Sequence, residues 1–131
     1  MNTQVAYLIV RVAVGVSMLG HGLVRLPKLQ GFSAWMLKTF ENSLLPEIMV
    51  LPFSYTLPIA EFLLGMLLVL GLFSRISSIV SAIIMILLIF GSTLIENWGA
   101  LVPQFIHVTF FAYLIQHIDR NSFALDTKLR G

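Results

Sequence analysis

Gly20-His21-Gly22-Leu23-Val24-Arg25-Leu26-Pro27-Lys28 closes a hydrophobic run that begins near Val5, and it sets a histidine and an arginine inside that run just before a proline. Four residues apart on a helix, His21 and Arg25 share one face, about 6 Å apart along the axis. Gly20 and Gly22 carry no side chain, so a second backbone or a ligand can come close there. The reading of the whole chain turns on what these two polar groups face.

The 131 residues are 58% hydrophobic and 11% charged, with a mean hydropathy of +0.94. That is more apolar surface than a soluble core of this size can hide, so the chain reads as an integral membrane protein in contact with lipid. A spanning helix needs roughly 20 mainly apolar residues. Four runs qualify, over 4–26, 54–73, 76–95 and 100–118, and together they make residues 1–131 one transmembrane domain with no stretch left for a soluble one. The first run is too long, and holds Arg11 too deep, for a cleavable signal peptide, so it counts as helix one. With no cysteine in the chain, dithiol chemistry, thiolate metal centres and disulfides are excluded. A net charge of +2 on scattered cations argues against a nucleic-acid partner.

Helix one has Asn2 or Thr3 as its cap and ends at Pro27. Over 32–45, Phe32, Trp35, Met36, Phe40 and Leu44 recur at three- to four-residue spacing behind Ser33 as a cap. This is too short to span. It reads as an interfacial helix over the bundle mouth, with a loop packed on the bundle as the alternative. Helix two follows Pro46 and Pro52, with Pro58 in its first turns. Ser74-Arg75-Ile76-Ser77 is a turn so short that helices two and three must be antiparallel neighbours. Helix three, free of ionisable residues until Glu96, reads as scaffold, helix four begins near Pro103, and the tail from Asp119 reads as polar and ordinary. The fold expected is an all-α, up-down four-helix membrane bundle with a short interfacial helix between helices one and two. Arg75, Arg120, Lys128 and Arg130 fall on one side, against Arg25, Lys28 and Lys38 on the other. That bias puts both termini in the cytoplasm, as for a protein of a bacterial inner membrane.

Up-down connectivity brings the end of helix one, the start of helix two and the start of helix four to the same face. His21, Glu61 and His107 then lie roughly 6 to 10 Å below it at the helical rise, with Arg25, Glu96, Trp98 and Gln104 just above. An ionisable group in hydrocarbon costs at least ~2.5 kcal/mol, so these groups should point inward and satisfy one another. The expectation is a shared polar pocket, in which His21, Glu61 and His107 are the acid–base groups and Arg25, Gln104, Trp98, Arg11 and Glu96 contact the ligand. Phe53, Phe62, Trp98, Phe105 and Phe111 would supply aromatic walls. Glu61 is either paired with Arg25 or a histidine, or held neutral by burial. Arg11 either turns inward or snorkels to the headgroups. Two histidines and a carboxylate could hold a metal, and two histidines a haem, or the polar groups could simply glue the helices together. The reading carried forward has no tightly bound metal or haem, and a quinone-like lipophilic ligand in the pocket.

Taken together, several of these residues resemble a known family. Arg11 with Gly15, the His21-Gly22-x-x-Arg25-Leu26 ending, Gly31-Phe32, Pro58-x-x-Glu61-x-x-x-Gly65, Gly71-x-x-x-Arg75 and Ser122-x-x-Leu125-Asp126 are similar in order and spacing to the DoxX family of small four-helix membrane proteins. The resemblance implies kinship with the DoxD subunit of a thiosulfate:quinone oxidoreductase and with partners in membrane oxidoreductase complexes. Any catalysis would be that of a quinone-linked oxidoreductase subunit, homo-oligomeric or attached to a redox partner protein. Eukaryotic relatives include a receptor-assembly chaperone, so the alternative is a non-catalytic assembly subunit for a partner protein.

Overall fold

The computed structural model describes residues 1–129, and every regular element among them is helical. Four long helices, α1 (Asn2–Arg25), α3 (Glu47–Leu70), α4 (Ser74–Leu94) and α5 (Leu101–Gln116, extended by a 3-10 turn at Trp98–Ala100), are apolar enough to cross a membrane. A shorter α2 (Leu29–Phe40) follows α1 through the 3-10 turn Leu26–Lys28, and α6 (Leu125–Leu129) closes the described chain.

The α1–α3 pair is the spine. Gly15 on α1 faces Val69, where an added Cβ would lie 2.9 Å from the Val69 nitrogen, while Gly22 meets the Phe62 backbone and Gly65 on α3 meets Leu19. Numbers rise along one helix as they fall along the other, so the two run antiparallel at backbone contact, which only glycine permits. Tyr7 bonding to the Leu114 carbonyl at 2.8 Å and Ser17 meeting His107 set α5 against α1 in the same opposed sense. Tyr7, Val14, Met18, Leu68, Met85, Phe111 and Leu114 fill the core between them.

Several boundaries differ from the sequence reading. The helix expected over 54–73 begins at Glu47 and runs through both Pro52 and Pro58, because backbone without water must stay hydrogen bonded and neighbouring groups tolerate the two missing N–H donors. It stops at Gly71, φ 72°. There Leu72 N–H donates to the Leu67 carbonyl at 2.9 Å and Gly71 N–H to that of Leu68 at 3.2 Å, a Schellman cap. Ser74 to Ser77 are therefore the first turn of α4, and the connecting turn is 71–73. Over 32–45 the helix starts earlier and ends at Phe40, and Ser33 is no cap: it lies buried mid-helix, 2.7 Å from the Ser54 hydroxyl on α3.

The tail is not ordinary. Phe73, at φ 51°, has no side-chain group to cap α4. Asp126 does this from fifty-three positions away, its carboxylate accepting from Phe73 N–H at 2.6 Å and Ser74 N–H at 2.8 Å. A carboxylate at a helix N-terminus satisfies orphan donors and the helix dipole together. Asp126 N–H in turn donates to the Gly71 carbonyl at 3.0 Å, which fastens the tail over the α3–α4 turn. Arg130, counted among the cations of this side, lies outside the described residues.

Candidate functional site

The glycine crossing that joins α1 to α3 also brings Arg25 beside Glu61. The Arg25 Nη1–H donates to Glu61 Oε1 at 2.8 Å, with the Glu61 side chain 4% exposed and the Arg25 side chain 28%. Phe32 of α2 lies beneath the same guanidinium, its centroid 4.6 Å away. Arg25 is thus held by a carboxylate from one helix and a ring face from another, an arrangement that orients the cation as well as neutralising it.

One turn before His21 stands Ser17, which joins the two histidines. His21 Nδ1–H donates to the Ser17 carbonyl at 2.6 Å, and His107 Nδ1–H to the Pro103 carbonyl at 2.7 Å. A carbonyl only accepts, so the neutral form of each ring carries its proton on Nδ1 and presents Nε2 as an acceptor. The Ser17 hydroxyl donates to His107 Nε2 at 2.8 Å, whereas His21 Nε2 has no bonded partner among the described residues. On α5, Gln104 Nε2–H donates to the Ser92 hydroxyl of α4 at 3.0 Å, and its Oε1 is buried without a partner among the described residues.

His21, Arg25, Glu61, Ser92, Gln104 and His107 border one cavity of about 580 Å3, within the range of small-molecule sites. Its walls are apolar and aromatic. Phe32, Trp35, Met36 and Phe40 come from α2, Val50, Phe53 and Leu57 from α3, and Met85, Leu88 and Phe90 from α4. The α2 helix closes this side by packing Met36 against Val50 and Leu57, and Phe40 reaches across to Gly91 of α4, where an added Cβ would sit 3.3 Å from its ring.

The structure therefore gathers His21, Arg25, Glu61, Gln104 and His107 around one space, and leaves Arg11, Glu96 and Trp98 out of it. Arg11 does turn inward, but at the other end of the bundle, where Nε–H donates to the Leu68 carbonyl at 2.9 Å and Nη1–H to Asn121 Oδ1 at 2.7 Å. Glu96 is exposed at φ 56° in a turn like that of Gly71, with Asn97 N–H donating to the Ser92 carbonyl at 2.9 Å. Its backbone ends α4, and it does not line the cavity. Trp98 is 58% exposed. Of the aromatic walls expected, Phe53 alone lines the cavity. Phe62 packs on Gly22, Phe105 is exposed and Phe111 belongs to the core. The α2 aromatics were visible as a periodic stripe, but the stripe did not say whether it faces lipid headgroups or a cavity. Among the described residues, no three His, Asp or Glu side chains converge as a metal site.

The class defined by these features is a small helical integral membrane protein with a polar-edged cavity inside its bundle. The DoxX family model matches residues 6–94, and the chain belongs to the DoxX family. That match takes in His21, Arg25 and Glu61 and stops before α5, so Gln104 and His107 stand on this structure alone. No curated protein and no solved structure matches the chain.

Proposed function

We propose that this protein is a membrane subunit that binds a quinone-class ligand in the cavity and works beside a redox partner protein. The observation carrying this reading is the composition of the cavity wall: aromatic and aliphatic side chains that suit a flat lipophilic ring, interrupted by an ion-paired arginine and a histidine with an open nitrogen. Two-electron reduction of a quinone takes up two protons, which demands exchangeable groups at the ring oxygens. His21 Nε2 and the Glu61 carboxylate serve that role, and Arg25 stabilises negative charge on a ring oxygen. Electrons come from the partner, since the chain has no cysteine. No metal or haem is held tightly.

In this reading the four long helices cross the membrane alternately, α2 lies at headgroup level with Lys38 outermost, and both termini face the cytoplasm of a bacterial cell. The test is chemical. Organic extraction of gently purified protein should yield a quinone, and added decylubiquinone should raise the melting temperature, with the logarithm of its concentration once that exceeds the dissociation constant. Protein with neither property does not bind quinones. A second reading, a subunit that assists assembly of a partner protein or of its own oligomer, is favoured by one observation: α5 is the least buried of the four spans and exposes Val102, Phe105, Ile106 and Phe110 along its length. Cross-linking in native membranes that captures a stoichiometric client, retained when His21 and Glu61 are replaced, would select it.

A further inference from the structure

We infer that the outer side of the corner between α1 and α2 holds one anionic phospholipid, with its phosphodiester gripped by Arg25 and Lys28. This site is separate from the large cavity and does not rest on the quinone reading.

A second cavity, of about 380 Å3, lies against that corner and is lined by Val24, Arg25, Lys28, Gly31, Phe32 and Trp35. Arg25, Phe32 and Trp35 also border the large cavity, whereas Glu61 borders the large one alone. The outer wall therefore carries two cations and no carboxylate. Arg25 gives one N–H to Glu61 and has others to spare on a partly exposed side chain. Lys28 is exposed and makes no ion pair among the described residues. At Gly31 an added Cβ would meet nothing within 4 Å, so the space beside the two cations is clear down to the backbone. The next carboxylate along the chain, Glu41, comes only after the far end of α2.

The surroundings select a lipid over a soluble anion. The span formed by α1 ends at Arg25, where the phosphates of a bilayer lie and where cations attract anionic headgroups. Below the cations the wall turns apolar: Val24 and Val16 are exposed, and Gly20, one turn from each, has open space where a side chain would stand. Four-residue spacing puts these three on one helix face, which makes a shallow track for an acyl chain hanging from the phosphate. Exposed Trp35 borders the groove on the α2 side, at the depth tryptophan favours. A free phosphate would use the cations and leave the track empty. A zwitterionic headgroup brings its own cation beside the phosphate, which Arg25 and Lys28 repel, so the site favours headgroups of net negative charge.

The experiment uses the full chain with Trp98→Phe, which leaves Trp35 as its one tryptophan, in vesicles where either phosphatidylglycerol or phosphatidylcholine carries brominated acyl chains that quench nearby tryptophan. Phosphatidylglycerol should be preferred at Trp35 by about fivefold, the effect of one cation at a bilayer surface, or more. Lys28→Gln, which removes a charge, and Gly31→Leu, which fills the groove with the charges kept, should each bring the preference to within about twofold. Lys38→Gln, on the same helix but outside the groove, should leave it unchanged. Equal quenching by the two lipids overturns the inference, as does a preference that Lys28→Gln and Lys38→Gln diminish alike, since that is the mark of a diffuse surface field. A preference that survives Gly31→Leu overturns it as well, and Gly31→Met fills the same space if leucine disturbs α2. Relief of quenching by millimolar inorganic phosphate would assign the groove to a soluble anion and overturn the lipid.

Discussion

Arg11 and Arg25 lie on the same helix, about 21 Å apart at the helical rise, and both turn into the bundle, yet they do opposite things. Around Arg11 the protein is closed. Arg11 is 2% exposed, its guanidinium bonded to the Leu68 carbonyl and Asn121 and packed so tightly that a Cβ on Gly71 would fall 2.9 Å from its Cζ. Tyr7, the Asp126 cap and the tail complete this end. Around Arg25 the protein is open. Its carboxylate and ring partners hold it at the border of a 580 Å3 cavity whose other polar groups keep free valences. An ionisable residue inside a membrane helix therefore does not by itself mark a site. A site needs space as well, together with polar atoms that the protein has not already satisfied.

The largest effect expected from this contrast is at the closed end. Arg11→Ala removes two hydrogen bonds and leaves a void beneath the tail, which should lower stability by about 3 kcal/mol, read as thermal melting in detergent. Ligand affinity of the protein that remains folded should not change. A variant that melts normally but no longer binds decylubiquinone would reverse the roles given to the two ends.

A smaller effect belongs to the open end. Glu61→Ala strands the Arg25 guanidinium, while Glu61→Gln keeps volume and one acceptor, so alanine should be the more destabilising by about 1 kcal/mol, given the partial exposure of Arg25 to screening. The glutamine variant should fold yet lose any proton-linked response to ligand, measured as the pH dependence of decylubiquinone affinity. A double-mutant cycle between Arg25 and Glu61 should show coupling of about 0.5 kcal/mol or more. Additive effects would mean that the 2.8 Å contact is absent in the membrane.

The smallest effect sharpens the comparison at its edge. Glu96 holds a left-handed turn that suits glycine, so Glu96→Gly should stabilise the protein by up to about 1 kcal/mol and leave ligand affinity unchanged, as melting and titration will show. Weakened ligand binding in that variant would return Glu96 to the site.

Much of the site could be read from residue positions alone, because helical rise converts sequence number into depth. His21, Glu61 and His107 were placed at one level by counting from helix ends, with Arg25 and Gln104 just above, and all five border the same cavity. Counting also gave Arg11 a depth, but could not tell a saturated arginine from an available one. Glu96 and Trp98 failed for a related reason: each has the right level and the wrong direction, since both sit in a turn whose backbone path follows from the cap of α4.

The sequence by itself determined that this protein lives in a membrane as four apolar helices and belongs with the DoxX family, because hydropathy over twenty residues and the spacing of glycines are local properties of the chain. Tertiary structure alone decided which polar atoms remain open. That the Asp126 carboxylate caps α4, that Asn121 answers Arg11, that α2 turns its aromatics onto a cavity, and that Gln104 keeps a bare oxygen all depend on partners far away in sequence. The energy of a buried polar group is set by the atom it meets, and the composition of a segment does not name that atom.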